Sequence, residues 1–196
     1  MDMVTITRGF SEEERTRVGS LYWEAFGRKL RPGFVDEATG MAVIRDALRP
    51  DHMLVARRGD EVAGVCGFYV LGTGAVDLAW SQLRRTLSIP AALRVSVVLS
   101  LLSRTNPQET LVLDGICVDR SERGRGIGTA LLSAVDEHAR RSGARTVRLS
   151  VVNSNPRARA LYERRGFAPV TSGTLGVLAP VYGFDGYTTM ERAVDR

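Results

Sequence analysis

Three glycines at alternate positions, Gly124, Gly126 and Gly128, interleave with Arg123, Arg125, Ile127 and Thr129. Glycine at these positions removes the side chains that would keep an anion away from the main chain. If a helix starts here, the amides around residues 125–129 converge on its positive end and can hold a phosphate, with Arg123 and Arg125 adding charge at the rim. Two better-known phosphate loops do not fit. The nucleotide-triphosphate loop ends in Gly-Lys-Ser/Thr, and the only lysine of the chain is Lys29. The dinucleotide fingerprint spaces its glycines G-x-G-x-x-G directly after a strand, whereas this turn reads G-x-G-x-G after a short arm. A second chemical candidate is Asp114, a carboxylate within an apolar run and costly to bury unless paired or useful. Regular alternation would put it on the same strand face as Val112 and Ile116. It is either a proton acceptor or a partner for a main-chain amide at a bulge next to Gly115. Glu109, at the entrance of the same run, reads as solvated. Cys66 and Cys117 lie in apolar runs and read as free buried thiols. His52 and His138 show no ligand spacing, so no metal is expected.

The elements that must position these groups follow from periodicity and punctuation. Residues 3–8 read as a strand. Ser11 and Glu14 have capping-box spacing ahead of a helix reaching about residue 26, with Val18, Leu21, Tyr22 and Phe26 on one side. A second helix spans about residues 35–48, halted by Pro50. Residues 53–57 and 61–71 read as a hairpin. Val76, Trp80, Leu83 and Leu87 trace one helical stripe, and residues 90–104 a second, strongly apolar helix. This pair either packs on the sheet with a face suited to a twin subunit or forms a lid over a substrate site. Residues 110–118 form a strand, 128–141 a helix closed by Gly143, and 146–152 a strand. Asn155 and Pro156 open a helix that Gly166 ends. Residues 167–170 and 187–194 finish as strands joined by a polar loop. The order is that of an α/β or α+β sandwich around one mixed sheet.

Arg123-x-x-x-x-Gly128 with the glycines between, followed by Ala130, Leu131 and Leu132, resembles the acetyl-CoA pyrophosphate loop of the GNAT superfamily of N-acetyltransferases. Further along, Asn155, Ala158, Leu161, Tyr162, Gly166 and Phe167 stand in a pattern similar to that family's N-x-x-A-x-x-L-Y-x-x-x-G-F signature. The resemblance is close over residues 110–170. It implies a mixed, mostly antiparallel central sheet with splayed fourth and fifth strands and helices on both faces. The helical insertion at about residues 73–106, before the fourth strand, departs from the family pattern. The resemblance further implies acetyl-CoA as co-substrate, with its pantetheine arm along the backbone of Ile116, Cys117 and Val118. The diphosphate would lie on residues 123–129, with a hydrogen bond from Asn155 and the Tyr162 phenol at the thioester sulfur. A phenol with an ordinary pKa of about 10 is protonated at neutral pH and can give its proton to a thiolate. A carboxylate on the fourth strand often receives the amine proton in this family, a role open to Asp114. Packing beneath the helix is the other reading of Tyr162, and helix capping that of Asn155.

Composition bounds the rest. The chain of 196 residues carries a net charge of +5, almost wholly through arginine. That field suits an anionic ligand, but no basic stripe interleaved with aromatics marks a nucleic-acid surface. The most apolar run, residues 91–102, is too short to span a membrane and contains Arg94. No basic, apolar leader opens the sequence, and a cytoplasmic protein is expected. The expected whole is one domain, residues 1–196, transferring an acetyl group to an amine-bearing acceptor, with a homodimer through the insertion as a further expectation. The competing reading is an acyl-CoA sensor of the same fold that performs no turnover. Tyr22, Trp23 and Trp80 are aromatic candidates for the acceptor side, with core packing as the plainer reading of each.

Overall fold

The computed structural model describes residues 3–70, 72–76, 83, 87–102 and 109–195. Its strands are β1 (Val4–Arg8), β2 (Met53–Arg58), β3 (Glu61–Phe68), β4 (Thr110–Val118), β5 (Thr146–Val152), β6 (Ala168–Thr174) and β7 (Gly186–Ala193). Its helices are α1 (Arg15–Leu30), α2 (Glu37–Ala47), α3 (Ile89–Leu102), α4 (Ile127–Arg141), α5 (Pro156–Arg164) and the single turn α6 (Ala179–Tyr182). The seven strands form one sheet in the order β1-β2-β3-β4-β5-β7-β6, antiparallel except between β4 and β5.

Alternation along the strands divides the core in two. Met53, Val55 and Val65 point to one face, where Val18, Leu21, Trp23, Ile44 and Val95 of α1, α2 and α3 cover them. Leu54, Cys66, Leu111, Leu113, Val147, Leu149 and Met190 point to the other, beneath Leu131, Leu132 and Val135 of α4 and Tyr162 of α5. Helices on both faces of a mixed sheet were the expected architecture.

Local chemistry explains most element ends. Asp36, extended at the start of α2, accepts a hydrogen bond from Thr39 N–H at 2.8 Å. Asn155 does the same for α5, accepting from Ala158 N–H at 3.1 Å, with Pro156 in the first turn. Half of the capping box at Ser11 forms: its N–H donates to Glu14 Oε2 at 2.8 Å, while α1 starts after Glu14 and runs four residues further than the pattern suggested. At the far end, residues 171–174, expected in a loop, extend β6 against β7. Of the helical insertion, residues 73–76, the buried Leu83 and residues 87–102 are described: Val76, expected on a helical stripe, pairs instead with Leu48 in an isolated antiparallel bridge, and Trp80 lies outside the described residues.

α1 is tied to the segment that follows β4. Asp119 accepts from Ser121 N–H at 2.8 Å and from Arg17 Nη2 at 2.6 Å, closing the 3-10 turn Arg120–Glu122. Hydrogen bonds from the Ser121 side chain, then Arg17 and the Ser121 amide, hold the Asp119 carboxyl down at about 2. A native pKa below the unfolded value of about 3.9 gives stabilisation that is complete above pH 4 and is lost as the pH falls through about 2. Asp119→Ala should therefore lower Tm by roughly 2–4 °C at pH 7. In calorimetry across pH, the gap to the parent protein should close between about pH 4 and pH 2. A gap that stayed constant through that range would contradict the assignment.

Candidate active site

The site forms where two neighbouring strands part. β4 and β5 pair in parallel only at Thr110 with Thr146, Leu111 with Val147 and Val112 with Arg148. Beyond that step β4 stays with β3 as far as Val118, and β5 stays with β7 as far as Val152. Among the described residues, the side of β4 facing β5 thus has no strand partner over residues 114–118. The burial pattern changes at the same place: Leu111, Val112 and Leu113 are buried, whereas Asp114, Gly115, Ile116 and Val118 are half-buried. Main-chain N–H and C=O groups inside a sheet need partners, so an extended chain of amides is the natural complement to this edge.

At the open end the turn and helix expected for anion binding are present. Gly124 and Gly126 have φ of 81° and 84°, a left-handed conformation that side-chain-bearing residues rarely adopt. A Cβ at either would meet no atom within 4 Å, so the outer surface of the turn is open. Gly126 caps α4, and the first intrahelical bond runs from Ala130 N–H to the Gly126 carbonyl at 2.9 Å. The amides of Ile127, Gly128 and Thr129 precede it and point out of the positive end of the helix. Gly128 meets another need: a Cβ there would lie 3.0 Å from Leu161 Cδ2 and 4.0 Å from Val118 Cγ2. Its missing side chain lets Leu161 of α5 approach the junction of β4 and α4.

The two arginines of the turn are engaged. Arg123 donates from Nε to the Val118 carbonyl at 3.0 Å and pairs with Glu24 of α1 at 2.9 Å. Arg125 pairs with Glu122 at 3.2 Å, and Glu122 also takes Arg58 at 2.8 Å. Each carboxylate is shared with a second arginine, Glu24 with Arg120 and Glu122 with Arg58, so the turn keeps positive charge beside its amides and helix end. Glu24 and the pairing of Glu122 with Arg58 escaped the sequence reading because they join parts of the chain 99 and 64 residues apart.

Tyr162 and Asp114 lie on opposite faces of the sheet. Tyr162 is buried on the α4 side, edge-on to Phe167 with ring centroids 6.0 Å apart. Asp114 lies on the α1 side, where Tyr22 donates its hydroxyl to Oδ2 at 2.6 Å. This corrects one expectation. The pairing of β4 with β3 skips from Gly115 opposite Gly67 to Leu113 opposite Phe68, which makes Asp114 the extra residue of a bulge. The bulge reverses the alternation, so Ile116 and Val118 join Leu111 and Leu113 toward α4, while Cys117 turns to α1. Asp114 therefore does not share a face with Ile116. Gly115 fits the bulge because a Cβ there would come within 2.1 Å of the Phe26 ring. Glu109 is at the paired end of β4, bridged to Arg145 at 3.1 Å and away from the opening.

Neither thiol is poised to react. The Cys117 S–H donates to the Leu21 carbonyl at 2.8 Å, and burial pushes its pKa up to about 12. Burial also raises Cys66, with a further push from Asp114. Trp23 is buried and donates to Glu37 at 3.0 Å, which makes it part of the core. Among the described residues no three His, Cys, Asp or Glu side chains gather as a metal site would need, and no helix is long and apolar enough to cross a membrane.

Comparison with known proteins agrees with this geometry. The chain is 41% identical over 66 residues to an uncharacterized N-acetyltransferase of Methanocaldococcus jannaschii, covering 34% of this chain and 29% of that protein. It is 47% identical over 53 residues to a mycothiol acetyltransferase of Beutenbergia cavernae, covering 27% and 18%. The chain thus spans less than a third of the length of either relative. Among solved structures, an N-acetyltransferase from Staphylococcus aureus Mu50 superposes with a TM-score of 0.71 at 19% identity, over 96% of this chain and 100% of that one, a likeness of fold. A model of the Acetyltransferase (GNAT) family matches residues 16–167, most of the chain and all of the site: the protein belongs to the GNAT family of acetyltransferases.

Proposed function

We propose that the chain is one N-acetyltransferase domain, residues 1–196, that moves an acetyl group from acetyl-CoA directly to an amine. The observation that carries this reading is the parting of β4 and β5 beside a helix N-terminus, with a phenol on one face and a carboxylate on the other. The residues present suit acetyl-CoA, the family's co-substrate. The amides from Gly124 to Thr129 receive the diphosphate, with Arg123 and Arg125 at the rim. The pantetheine arm runs along the β5-facing edge of β4 at Ile116, Cys117 and Val118, whose last carbonyl accepts from Arg123, and the Asn155 carboxamide adds a hydrogen bond while capping α5.

Bound acetyl-CoA supplies a thioester, and the amine nitrogen forms a C–N bond to its carbonyl carbon as the C–S bond breaks. Asp114 takes the proton that the amine loses, directly or through water, and an amide near Val118 stabilises the carbonyl oxygen as charge develops on it. Tyr162 gives its phenolic proton to the departing sulfur and recovers one from solvent. No enzyme nucleophile is needed, in keeping with the buried, raised thiols. The acceptor side is bounded by α1, α2, the insertion at about residues 73–106 and the segment 171–185, and its amine belongs to a small molecule, an antibiotic or a protein. We further propose a cytoplasmic homodimer, supported by Ile89 and Leu93, each 58% exposed and one turn apart on α3.

Tyr162→Phe should lower kcat at least about 100-fold while the Kd for acetyl-CoA stays within about twofold. Gly126→Ala forces alanine into a left-handed conformation and should weaken acetyl-CoA about tenfold in calorimetry. An acyl-CoA sensor would instead bind the thioester and release no thiol with any amine. Light scattering at micromolar concentration should return twice the 21.4 kDa chain mass; a mass of 21.4 kDa would refute the dimer.

A further inference from the structure

Where β4 and β5 part, the α1-side face carries a row of polar side chains that begins at Asp114, and the transfer chemistry leaves all of them but Asp114 without a role. Leu111, Leu113, Val147 and Leu149 all point into the α4-side core, so Val112 and Arg148, the last pair before the opening, point the other way. One step further along the same face stand Asp114 on β4 and Ser150 on β5. Ser150 is opposite Thr189 of β7, with the two hydroxyls 3.1 Å apart, and Thr189 is opposite Thr171 of β6. The row Asp114, Ser150, Thr189, Thr171 thus crosses four strands. Arg148 and Glu191 form an ion pair at the closed end of the fork. At the open end Val152 faces Tyr187, whose ring lies over Gly173: a Cβ there would come within 2.7 Å of the ring carbon Cζ.

These side chains specify chemistry. Ser150 is half-buried and Thr189 buried, so their hydroxyls are largely removed from water. Their mutual hydrogen bond uses one of two donors, and the pair keeps capacity to donate and to accept. A ligand without hydrogen-bonding groups would cover these hydroxyls without pairing them, a costly arrangement. The carboxylate of Asp114 favours an approaching ammonium, and the Tyr187 ring offers a flat apolar surface two strands away. We infer that this row seats the acceptor, and that the acceptor is a primary amine flanked by hydroxyl groups on a ring, an amine of the amino-sugar class. Its nitrogen faces Asp114, its hydroxyls meet Ser150 and Thr189, and its carbon face rests toward Tyr187. The inference rests on the proposed N-acetyl transfer.

The test follows thiol release from acetyl-CoA with 2-amino-2-deoxyglucose and with cyclohexylamine, a ring amine of similar size without hydroxyls. The amino sugar should show a kcat/KM at least about 100-fold higher, because a site built around hydroxyls rejects analogues that lack them. Ser150→Ala and Thr189→Val should each raise KM for the amino sugar about tenfold with kcat little changed, and Thr189→Ser should restore it. Acetyl-CoA affinity, measured on every variant by calorimetry, reports that the fold and the donor site are intact. Equal or better turnover of cyclohexylamine, an unchanged KM in both variants, or normal acetyl-CoA binding with no amino-sugar turnover would each overturn the acceptor assignment and spare the donor site. Absence of acetyl-CoA binding by the parent protein would instead remove the transferase reading, and this inference with it.

Discussion

A sheet that stops pairing in its middle is the constraint on which this architecture depends. Each strand interior carries donors and acceptors that must be satisfied, and β4 forgoes its β5 partner after Val112. What keeps the strands apart is continuous pairing on their outer sides, to β3 for one and β7 for the other. The missing side chain of Gly128 leaves room for Leu161 of α5 beside Val118. A strand edge in the middle of a core is an unusual feature to maintain, and the natural complement is a ligand that brings its own amides.

The bulge at Asp114 has a comparable role on a smaller scale. One extra residue between Leu113 and Gly115 changes which side chains of β4 face α1. It turns a carboxylate toward the Tyr22 hydroxyl and leaves Gly115 beneath the Phe26 ring. α1 is in turn held by Arg17 to Asp119 and by Glu24 to Arg120 and Arg123, so the helix that orients Asp114 is anchored to the anion-binding turn. The proposed donor and acceptor sides of the opening therefore share one mechanical element.

The parts of this arrangement that are local in sequence were legible before the structure. The Asn155 cap and the glycine turn rest on interactions within a few residues, the apolar runs of β4 and β5 are local patterns of residue type, and each was found where the pattern put it. The bulge was not legible, because it is defined by the partner strand: Gly67 and Gly115 meet only after β3 and β4 pair. Nor were the partners of Arg123 and Asp114, which lie 99 and 92 residues away along the chain. The extension of β6 through Thr174 was likewise hidden, since residues 171–174 are polar and mostly exposed and become a strand only by pairing with β7. Local chemistry thus marks the donor half of the site, while long-range pairing builds the acceptor half.

That division bears on mechanism. An amine attacking a thioester loses a proton on its approach side, and the sulfur gains one on the departure side. A single acid–base group would have to serve both positions, whereas two groups on opposite faces of the sheet each serve one. Asp114 and Tyr162 are so separated, with the unpaired edge of β4 between them. A covalent relay through a thiol would need an exposed sulfur with a lowered pKa, and Cys117 has neither, being buried, bonded to the Leu21 carbonyl and raised to about 12. Direct transfer across the opening is the chemistry we propose for these two faces.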